Sequence, residues 1–328
     1  MLFDSFGRAI TYLRISVTDR CNLRCAYCLP ESGVKWMPED VLLSADEIVR
    51  VAQAAARMGI FKIRLTGGEP LVRPDVLEIV QRIKEIPGVT DLSLTTNGML
   101  LEKLSKPLFE AGLDRVNISL DTLDPVKFKK VTRLGDFQRV WNGILAAEAA
   151  GLDPIKLNAV VVGDLNQDEI PALASLTIEH PWHVRFIELM PVANEQDWGN
   201  GLPSVSERYV SVQKMHAMLE PLKMEALMID NAVGPERTYK IPGALGTVGF
   251  ISPLGEQFWN KCNRLRLTAD GWLRSCLLVD KEISLREALK NGADLESFIS
   301  KAVSEKPEGH KLKSHNCPDA RHMSQIGG

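Results

Sequence analysis

Three cysteines lie within eight residues near the start of the chain, in the stretch DRCNLRCAYCLPESG at positions 19–33. Cys21, Cys25 and Cys28 have the spacing Cys-x3-Cys-x2-Cys. Zinc sites and cubane iron–sulfur clusters both take four ligands, so a triplet leaves one position for something else. Zinc sites usually use Cys-x2-Cys pairs. The spacing therefore favours a cubane with one iron that lacks a protein ligand, over half of a zinc site or scattered core cysteines.

The composition excludes several classes of protein. The chain has 328 residues, of which 45% are hydrophobic and 25% charged, with a net charge of -3 and a pI near 6.1. These values argue against a general nucleic-acid binder or a membrane-surface protein. We see no signal segment and no apolar run of membrane-spanning length, so we expect a cytoplasmic protein. In that reducing compartment, six cysteines indicate metal or redox chemistry rather than disulfides.

Short β-branched runs alternate with helical patterns through the first 190 residues, without an internal repeat. The predicted helix over 44–59 has Ser44 as N-cap and Glu47 to complete a capping box. Six strand–helix units in order predict a parallel sheet with right-handed crossovers. The predicted strands cover 12–18, 61–66, 91–96, 115–120, 155–162 and 183–189, and the other predicted helices cover 74–86, 100–111, 137–150 and 167–178.

Polar or glycine-rich stretches follow almost every predicted strand. The cysteine loop follows the first, TGGEP (66–70) the second, TTNG (95–98) the third and SLDTLD (119–124) the fourth. A barrel gathers such strand ends around one mouth, whereas an open sheet spreads them along an edge. We therefore expect an α/β fold, a partial barrel of six units, with the residues beyond about 195 appended to it.

The cysteine triplet and the TGGEP stretch together resemble the radical S-adenosylmethionine superfamily; Tyr27, the aromatic residue before the last cysteine, is part of the match. The resemblance implies that S-adenosylmethionine is the fourth ligand of a 4Fe-4S cluster. An electron from a reducing donor then splits the cofactor and releases a 5′-deoxyadenosyl radical. Gly67 and Gly68 would let the backbone approach the bound cofactor. A plain strand-to-helix turn is the alternative for these glycines.

A closer resemblance covers nearly the whole chain. It is similar to the GTP 3′,8-cyclase family of molybdenum cofactor biosynthesis. This resemblance implies an incomplete (β/α)6 barrel of the triosephosphate-isomerase type over 1–195, a C-terminal domain, here 196–328, that closes its open side, and a homodimer. The implied lyase reaction removes hydrogen from C3′ of GTP and joins that carbon to C8 of guanine. The motifs that match, in order, are LRISVTDRCNLRCAYC, IRLTGGEPLVR, LTTNG, NISLDTLD, VRFIELMP, CNRLRLTADG and the terminal MSQIGG.

The resemblance also implies roles for individual residues. Arginine suits the substrate, because its guanidinium group can bind two phosphate oxygens at once. Arg14 and Arg64 lie in otherwise apolar strands, where an unpaired charge would be costly, and the terminal Gly327-Gly328 is implied to reach into the active site. The implied S-adenosylmethionine contacts are Tyr27, Gly68, Ser119 and Met190. The implied GTP contacts are Arg14, Arg64, Thr95, Lys156, Arg264, Leu265 and Arg266.

The chain departs from the family at a second cluster. In the family, three cysteines of the C-terminal domain hold a second cubane, whose remaining iron binds guanine. Cys262 and Cys276 match two of these ligands, but Trp259 occupies the third position, and an indole does not bind metal. We expect an impaired or missing second cluster; Cys317 is the candidate substitute ligand. A paralogue with one cluster and another substrate, and a degenerate binding protein, are the alternatives.

Overall fold

The fold was analysed in a computed structural model, and the described residues are 1–190, 198–199, 202–204, 207–227, 236–253, 262–309 and 321–327. Trp259, Cys317 and Gly328, which the sequence singles out, lie outside these ranges.

The strands of the described residues form a two-stranded hairpin and one twelve-stranded sheet. The hairpin consists of β1 (Leu2–Phe3) and β2 (Ala9–Ile10). The strands of the large sheet, in chain order, are β3 (Tyr12–Ser16), β4 (Lys62–Thr66), β5 (Asp91–Thr96), β6 (Arg115–Ser119), β7 (Lys156–Val161), β8 (His183–Glu188), β9 (Glu225–Ala226), β10 (Glu236–Lys240), β11 (Thr247–Ile251), β12 (Arg264–Leu267), β13 (Trp272–Arg274) and β14 (Glu282–Ser284).

The helices alternate with the first parallel strands, as the sequence predicts. The capping box at Ser44 and Glu47 is confirmed at the first of them, because each side chain accepts the backbone N–H of the other residue. The α-helices are α1 (Ala45–Arg57), α2 (Val76–Lys84), α3 (Leu101–Glu110), α4 (Pro125–Thr132), α5 (Phe137–Ala149), α6 (Ile170–Glu179), α7 (Val212–Met218), α8 (Arg286–Asn291), α9 (Leu295–Ser304) and α10 (Met323–Ile326). Among the helices described, none is long and apolar enough to cross a membrane.

Eight strands of the large sheet run parallel, in the order β12-β3-β4-β5-β6-β7-β8-β11. The six predicted strands are β3 to β8, so the expected partial barrel is confirmed. The C-terminal part adds one parallel strand at each end of this arc, β12 beside β3 and β11 beside β8. The sheet is thus continuous across residue 195, and the domain boundary there stays a prediction.

Side chains alternate strictly along the parallel strands. Leu13 and Ile15 of β3 are buried in the hydrophobic core beneath the helices, as are Ile63 and Leu65 of β4. Tyr12 and Arg14, which alternate with Leu13 and Ile15 along β3, line a cavity on the other face. Parallel strands covered on both faces usually read as continuous apolar runs. The alternation therefore indicates an interior built for a polar ligand rather than a packed barrel core.

Candidate active site

The cysteine loop follows β3 and packs against the end of α4. The amides of Cys28 and Leu29 both donate to the carbonyl of Cys25, at 2.9 and 3.0 Å. The amide of Ala26 donates to the carbonyl of Val131 at 2.9 Å, which fixes the middle of the loop. No helix is among the sequence predictions for this segment, although Asp124 and Pro125 give α4 an N-cap and a proline at its first position.

Arg133, directly after α4, clasps the loop from outside. Its guanidinium donates to the carbonyls of Arg24 and Leu29, at 2.8 and 3.0 Å, and to that of Trp198 at 2.9 Å. Its φ of 61° is in the left-handed region, which disfavours non-glycine residues. The carbonyls of Arg24 and Leu29 lie on either side of Cys25 and Cys28 in the sequence. Arg133 therefore fixes the backbone that carries these two cysteines.

A buried carboxylate joins the loops that follow β4 and β5. Glu69 of TGGEP is 1% exposed, and it accepts the hydroxyl of Thr96 and the amide of Asn97, each at 2.7 Å. Burial raises the pKa of Glu69 to about 7, against the lowering effect of these hydrogen bonds. The side-chain amide of Asn97 in turn donates to the side-chain oxygen of Asn22 in the cysteine loop at 2.7 Å. The three predicted loops are therefore one hydrogen-bonded unit.

The two glycines of TGGEP have a packing role in this structure. A Cβ at Gly67 would come within 2.4 Å of the Thr18 carbonyl oxygen, and one at Gly68 within 2.4 Å of the Arg20 carbonyl oxygen. The amide of Gly68 donates to that Thr18 carbonyl at 2.8 Å. The glycines are needed so that this turn can lie against the backbone leading into Cys21. Gly68 as a cofactor contact stays a prediction.

Tyr27 is fixed by a residue at the end of β6. Its hydroxyl donates to Asp121 at 2.7 Å, and the other carboxylate oxygen of Asp121 accepts the amide of Val160 at 2.9 Å. Burial raises the pKa of Asp121 to about 6 despite these bonds. Asp121 belongs to SLDTLD, where the sequence predicted only Ser119, so it is a positioning residue that the analysis missed.

The donor set of the first loop fits a cubane. Burial raises the pKa of Cys21 to about 11 and that of Cys28 to about 12. Burial and the charge of Cys28 raise the pKa of Cys25 as well. Among the described residues, no three His, Cys, Asp or Glu side chains surround the position of a single metal ion. Bound iron supplies the positive charge that holds buried thiolates ionised.

A cavity of about 750 Å³ lies inside the arc of parallel strands. It extends from Met190, after the end of β8, to Thr11 and Phe61, before the starts of β3 and β4. Among the described residues, eight cationic side chains line it together with one carboxylate, Glu236. The cations are Arg14, Lys62, Arg64, Arg115, Lys156, Arg185, Arg264 and Arg266. Such a lining favours a small molecule of high negative charge.

Three of the predicted GTP cations differ in their partners from the other cations of the cavity. No salt bridge joins Arg14, Arg64 or Lys156 to a carboxylate in the described part of the chain. Three cations that were not predicted from the sequence do have an acidic partner. Lys62 and Arg115 pair with Asp91, and Nη1 of Arg185 lies 3.6 Å from Oε2 of Glu236. Burial and neighbouring cations lower the pKa of Arg64 to about 9 and that of Lys156 to about 8. An anion bound among them would relieve this repulsion.

The register explains why the arginines meet. Arg14 lies opposite Arg64 on one side and opposite Arg266 on the other, so adjacent strands present them in one row. Thr95 also lines the cavity. Leu265 does not: it is fully buried in the hydrophobic core on the outer face, as the alternation along β12 requires. Its predicted GTP contact, if made by the side chain, has no place in this arrangement.

Residues predicted to bind S-adenosylmethionine lie at or beyond the carboxyl ends of the strands. Met190 lines the cavity and packs in the same small hydrophobic cluster as Cys276 and Met323. Ser119 is the last residue of β6, opposite Asn158. Tyr27, Gly68 and Ser119 are not among the residues that line the cavity itself.

Cys262 and Cys276 lie together at the opposite end of the strands from the first loop. Cys262 precedes β12 and Cys276 follows β13, and these two strands are antiparallel. A buried lysine accompanies them: the ammonium of Lys306 donates to the carbonyls of Arg264 and Ser275, at 2.9 and 2.5 Å. Burial raises the pKa of Cys262, but Arg264 and Lys306 outweigh it and bring the pKa to about 6.

The C-terminal tail enters the barrel. The carbonyl of Gly327 accepts a hydrogen bond from Arg266. A Cβ at this glycine would lie 2.7 Å from the hydroxyl of Thr66 and 3.3 Å from the Cβ of Ser16. With a φ of 79°, the position suits glycine on both counts. The tail thus reaches the inner faces of β3 and β4.

Comparison with known sequences decides the family. The Radical SAM superfamily profile matches residues 15–177, and Molybdenum Cofactor Synthesis C matches residues 182–312. The GTP 3′,8-cyclase of Pelotomaculum thermopropionicum is 47% identical over 332 residues, which cover 99% of both chains. This chain belongs to the GTP 3′,8-cyclase family.

Other relatives agree with this assignment. The GTP 3′,8-cyclase of Heliobacterium modesticaldum is 47% identical over 333 residues and 100% of both chains, and that of Listeria monocytogenes is 43% identical over 337 residues. Among solved structures, Streptococcus suis SuiB aligns with a TM-score of 0.61 at 14% identity, covering 89% of this chain and 68% of SuiB. This likeness shows that the chain shares the fold of SuiB.

Proposed function

We propose that this chain is a radical S-adenosylmethionine enzyme that converts GTP to (8S)-3′,8-cyclo-7,8-dihydroguanosine 5′-triphosphate for molybdenum cofactor biosynthesis. The observation that carries the proposal is the row of Arg64, Arg14 and Arg266 inside the barrel, which faces a cavity that Cys262 and Cys276 also line. In the described part of the chain, no salt bridge joins these three arginines to a carboxylate. Full-length identity to curated GTP 3′,8-cyclases supports the same substrate.

The cysteine loop would hold the first cluster through Cys21, Cys25 and Cys28. When bound, the cluster supplies the electron that cleaves S-adenosylmethionine, and this generates the radical that removes hydrogen from C3′ of GTP. The chain contributes the scaffold: Arg133 fixes the loop backbone, and Asp121 orients Tyr27. Glu69 holds Asn97, whose side chain binds that of Asn22 in the loop. Tyr27, Gly68, Ser119 and Met190 are proposed to contact the cofactor, as the family resemblance implies.

The cavity lining would bind GTP. Arg14, Arg64 and Lys156 offer cations without acidic partners, and they would hold the triphosphate by charge-assisted hydrogen bonds. Arg264 and Arg266 join them from β12. The side chain of Thr95 offers a hydroxyl beside this row. Because the cations outnumber the carboxylates, the cavity orients an anionic substrate without a net basic charge on the whole protein.

The second cysteine site does not fit a cluster with three protein thiolates. The structure describes two thiols there, Cys262 and Cys276, and the third family position is Trp259. Lys306 already offsets negative charge beside the two thiols. We therefore infer an impaired or missing second cluster and weakened cyclase activity; Cys317 is the alternative third ligand. No step of the reaction is assigned to this site.

Trp259 also favours a second candidate function, a paralogue that cleaves S-adenosylmethionine but acts on another substrate. The decisive experiment is an anaerobic assay of reconstituted protein with S-adenosylmethionine, a strong reductant and GTP deuterated at C3′. We expect deuterated 5′-deoxyadenosine and the cyclic nucleotide. Cleavage without deuterium transfer from GTP would favour the paralogue. The homodimer, the electron donor and a cytoplasmic location remain proposals that rest on the family and on the six thiols.

A further inference from the structure

Tyr12 lies inside the cation-lined cavity and belongs to neither the cysteine loop nor the predicted GTP contacts. It is the first residue of β3, and its side chain faces the interior because Leu13 faces the core. It lines the cavity and is 6% exposed. The residue is therefore placed to touch whatever the cavity binds.

Three cations converge on the ring of Tyr12. The ammonium of Lys62 lies 5.3 Å from the ring centroid, and the guanidinium carbons of Arg64 and Arg14 lie at 5.4 and 5.5 Å. The negative face of an aromatic ring attracts cations at these distances. Tyr12 thus gathers the positive charge of β3 and β4 around one side chain.

The hydroxyl of Tyr12 has no hydrogen-bond partner among the described residues, although it is buried. The Nε of Arg14, from the same strand, is buried without a partner as well. Guanidinium and ammonium groups only donate hydrogen bonds, so the three neighbouring cations cannot accept the phenolic proton. Buried donors normally have a hydrogen-bond acceptor, and the surrounding positive charge favours an anionic acceptor for this hydroxyl.

We propose that Tyr12 is a phosphate-binding residue, whose hydroxyl donates a hydrogen bond to a phosphate oxygen of the triphosphate of GTP. The inference rests on the proposed function in its choice of nucleotide, but the chemistry it needs is only that of a polyphosphate. Tyr12 would then add a neutral donor in the centre of the cationic row, where further positive charge would increase the repulsion.

The same surroundings predict a pH dependence. Burial raises the pKa of Tyr12, but Arg14, Arg64, Lys62 and Arg264 outweigh it and bring the pKa to about 7; Arg185 and Arg266 also interact with its charge. Only the neutral phenol can donate to phosphate. The contribution of the Tyr12 hydroxyl to polyphosphate affinity should therefore be present well below pH 7 and be lost as the pH rises through about 7, and binding at higher pH should take up a proton.

The test compares reconstituted wild-type protein with Tyr12→Phe by anaerobic calorimetry. The variant keeps the ring and its cation contacts and loses only the hydroxyl. Inorganic tripolyphosphate and GTP should both bind about tenfold more weakly or worse, whereas guanosine and S-adenosylmethionine should keep their affinities. Tyr239→Phe is the matched control, since Tyr239 packs against His216 and Phe250 outside the cavity lining. It should bind tripolyphosphate like the wild type.

Equal tripolyphosphate binding by Tyr12→Phe and wild type would overturn the proposal, as would an equal loss for guanosine. Should the variant fail to fold by circular dichroism, tripolyphosphate binding by Lys156→Arg at about pH 8, in two buffers of different ionisation enthalpy, decides. Arginine stays charged at that pH, so Tyr12 is left to take up the proton, and absence of proton uptake overturns the proposal. Tripolyphosphate binding that depends on Tyr12, without turnover of GTP, would refute the proposed function alone. A wild type that binds neither ligand would refute both.

Discussion

The two cysteine sites of this chain lie at opposite ends of the same parallel strands and have opposite electrostatics. In the loop after β3, burial raises the pKa of Cys28 to about 12. Beside β12, burial also disfavours the thiolate of Cys262, but Arg264 and Lys306 outweigh it and bring the pKa to about 6. One site keeps its thiols neutral, and the other supplies its own positive charge.

The two sites differ in how much positive charge they need from bound metal. Three buried thiolates at the first site need compensating charge from bound iron, because the described cations nearby are engaged with backbone carbonyls. At the second site, the lysine ammonium partly replaces that charge. The loop that has all three cysteines is thus the one that needs charge from bound metal. At the second site, the protein itself supplies charge that stabilises the thiolate of Cys262.

Removing a cysteine from each site is the largest test of this comparison. Cys25→Ala should abolish cleavage of S-adenosylmethionine, because the remaining two thiols cannot hold the cubane. Cys262→Ala should retain cleavage, since that site takes no part in it. The measurement is 5′-deoxyadenosine formed by reconstituted protein with a strong reductant. Full production by Cys25→Ala would show that the first loop is not the cluster site.

Restoring a cysteine at the second site tests whether it lacks only a ligand. Trp259→Cys should gain about four irons per chain on anaerobic reconstitution, because a third thiolate completes the set for a cubane. Cys317→Ala in the unaltered background should change nothing. The comparison breaks if the unaltered protein already carries about eight irons and Cys317→Ala loses about four, since Cys317 would then be the substitute ligand.

A smaller effect distinguishes the cavity between the two sites from the cysteine loop. Arg64→Ala should weaken GTP binding by about 1.5–3 kcal/mol, the contribution of one charge-assisted hydrogen bond. Affinity for S-adenosylmethionine should stay nearly unchanged. Arg82→Ala is the control for loss of a surface charge, because Arg82 pairs with Glu78 and Asp46 on the helical exterior. Calorimetry that finds equal losses for both ligands would reject the division of roles.

The smallest expected effect is a pH dependence from Lys156. Burial first, and then Arg185, lowers its pKa to about 8. Phosphate binding favours the protonated amine, so this contribution is full below pH 8 and is lost as the pH rises through it. Lys156→Arg should reduce the fall in GTP affinity between about pH 7 and 9, because arginine stays charged. Identical pH profiles for variant and wild type would contradict this assignment.

The first 190 residues could be predicted from local signals. The six strands appear within one or two residues of their predicted bounds, because β-branched runs, the N-cap at Ser44 and the helix-ending Gly59 are encoded nearby in the sequence. The C-terminal strands could not. β11 and β12 have five and four residues, and what makes them part of the barrel is pairing with β8 and β3, which no local pattern reveals.

Site prediction followed the same division. Arg14 and Arg64 were recognised as charges inside apolar strands, and both line the cavity. Tyr12 and Arg185 follow the same alternation, which was the available signal for them. No local signal in the sequence indicates Lys306, because the Arg264 carbonyl that it binds is 42 residues away along the chain. The packing role of Gly67 and Gly68 also depends on a neighbouring segment, the backbone of residues 18–20.

The pairing of β3 with β12 has a consequence for biosynthesis. Ser16 ends β3 and Arg264 begins β12, 248 residues later. At about 5–20 residues per second, the ribosome needs about 12–50 s to deliver the partner strand. Throughout that interval one edge of β3 presents unpaired backbone groups to other chains. We therefore expect nascent chains that stop near residue 195 to aggregate or to bind chaperones, since the barrel wall is completed only when β12 has emerged.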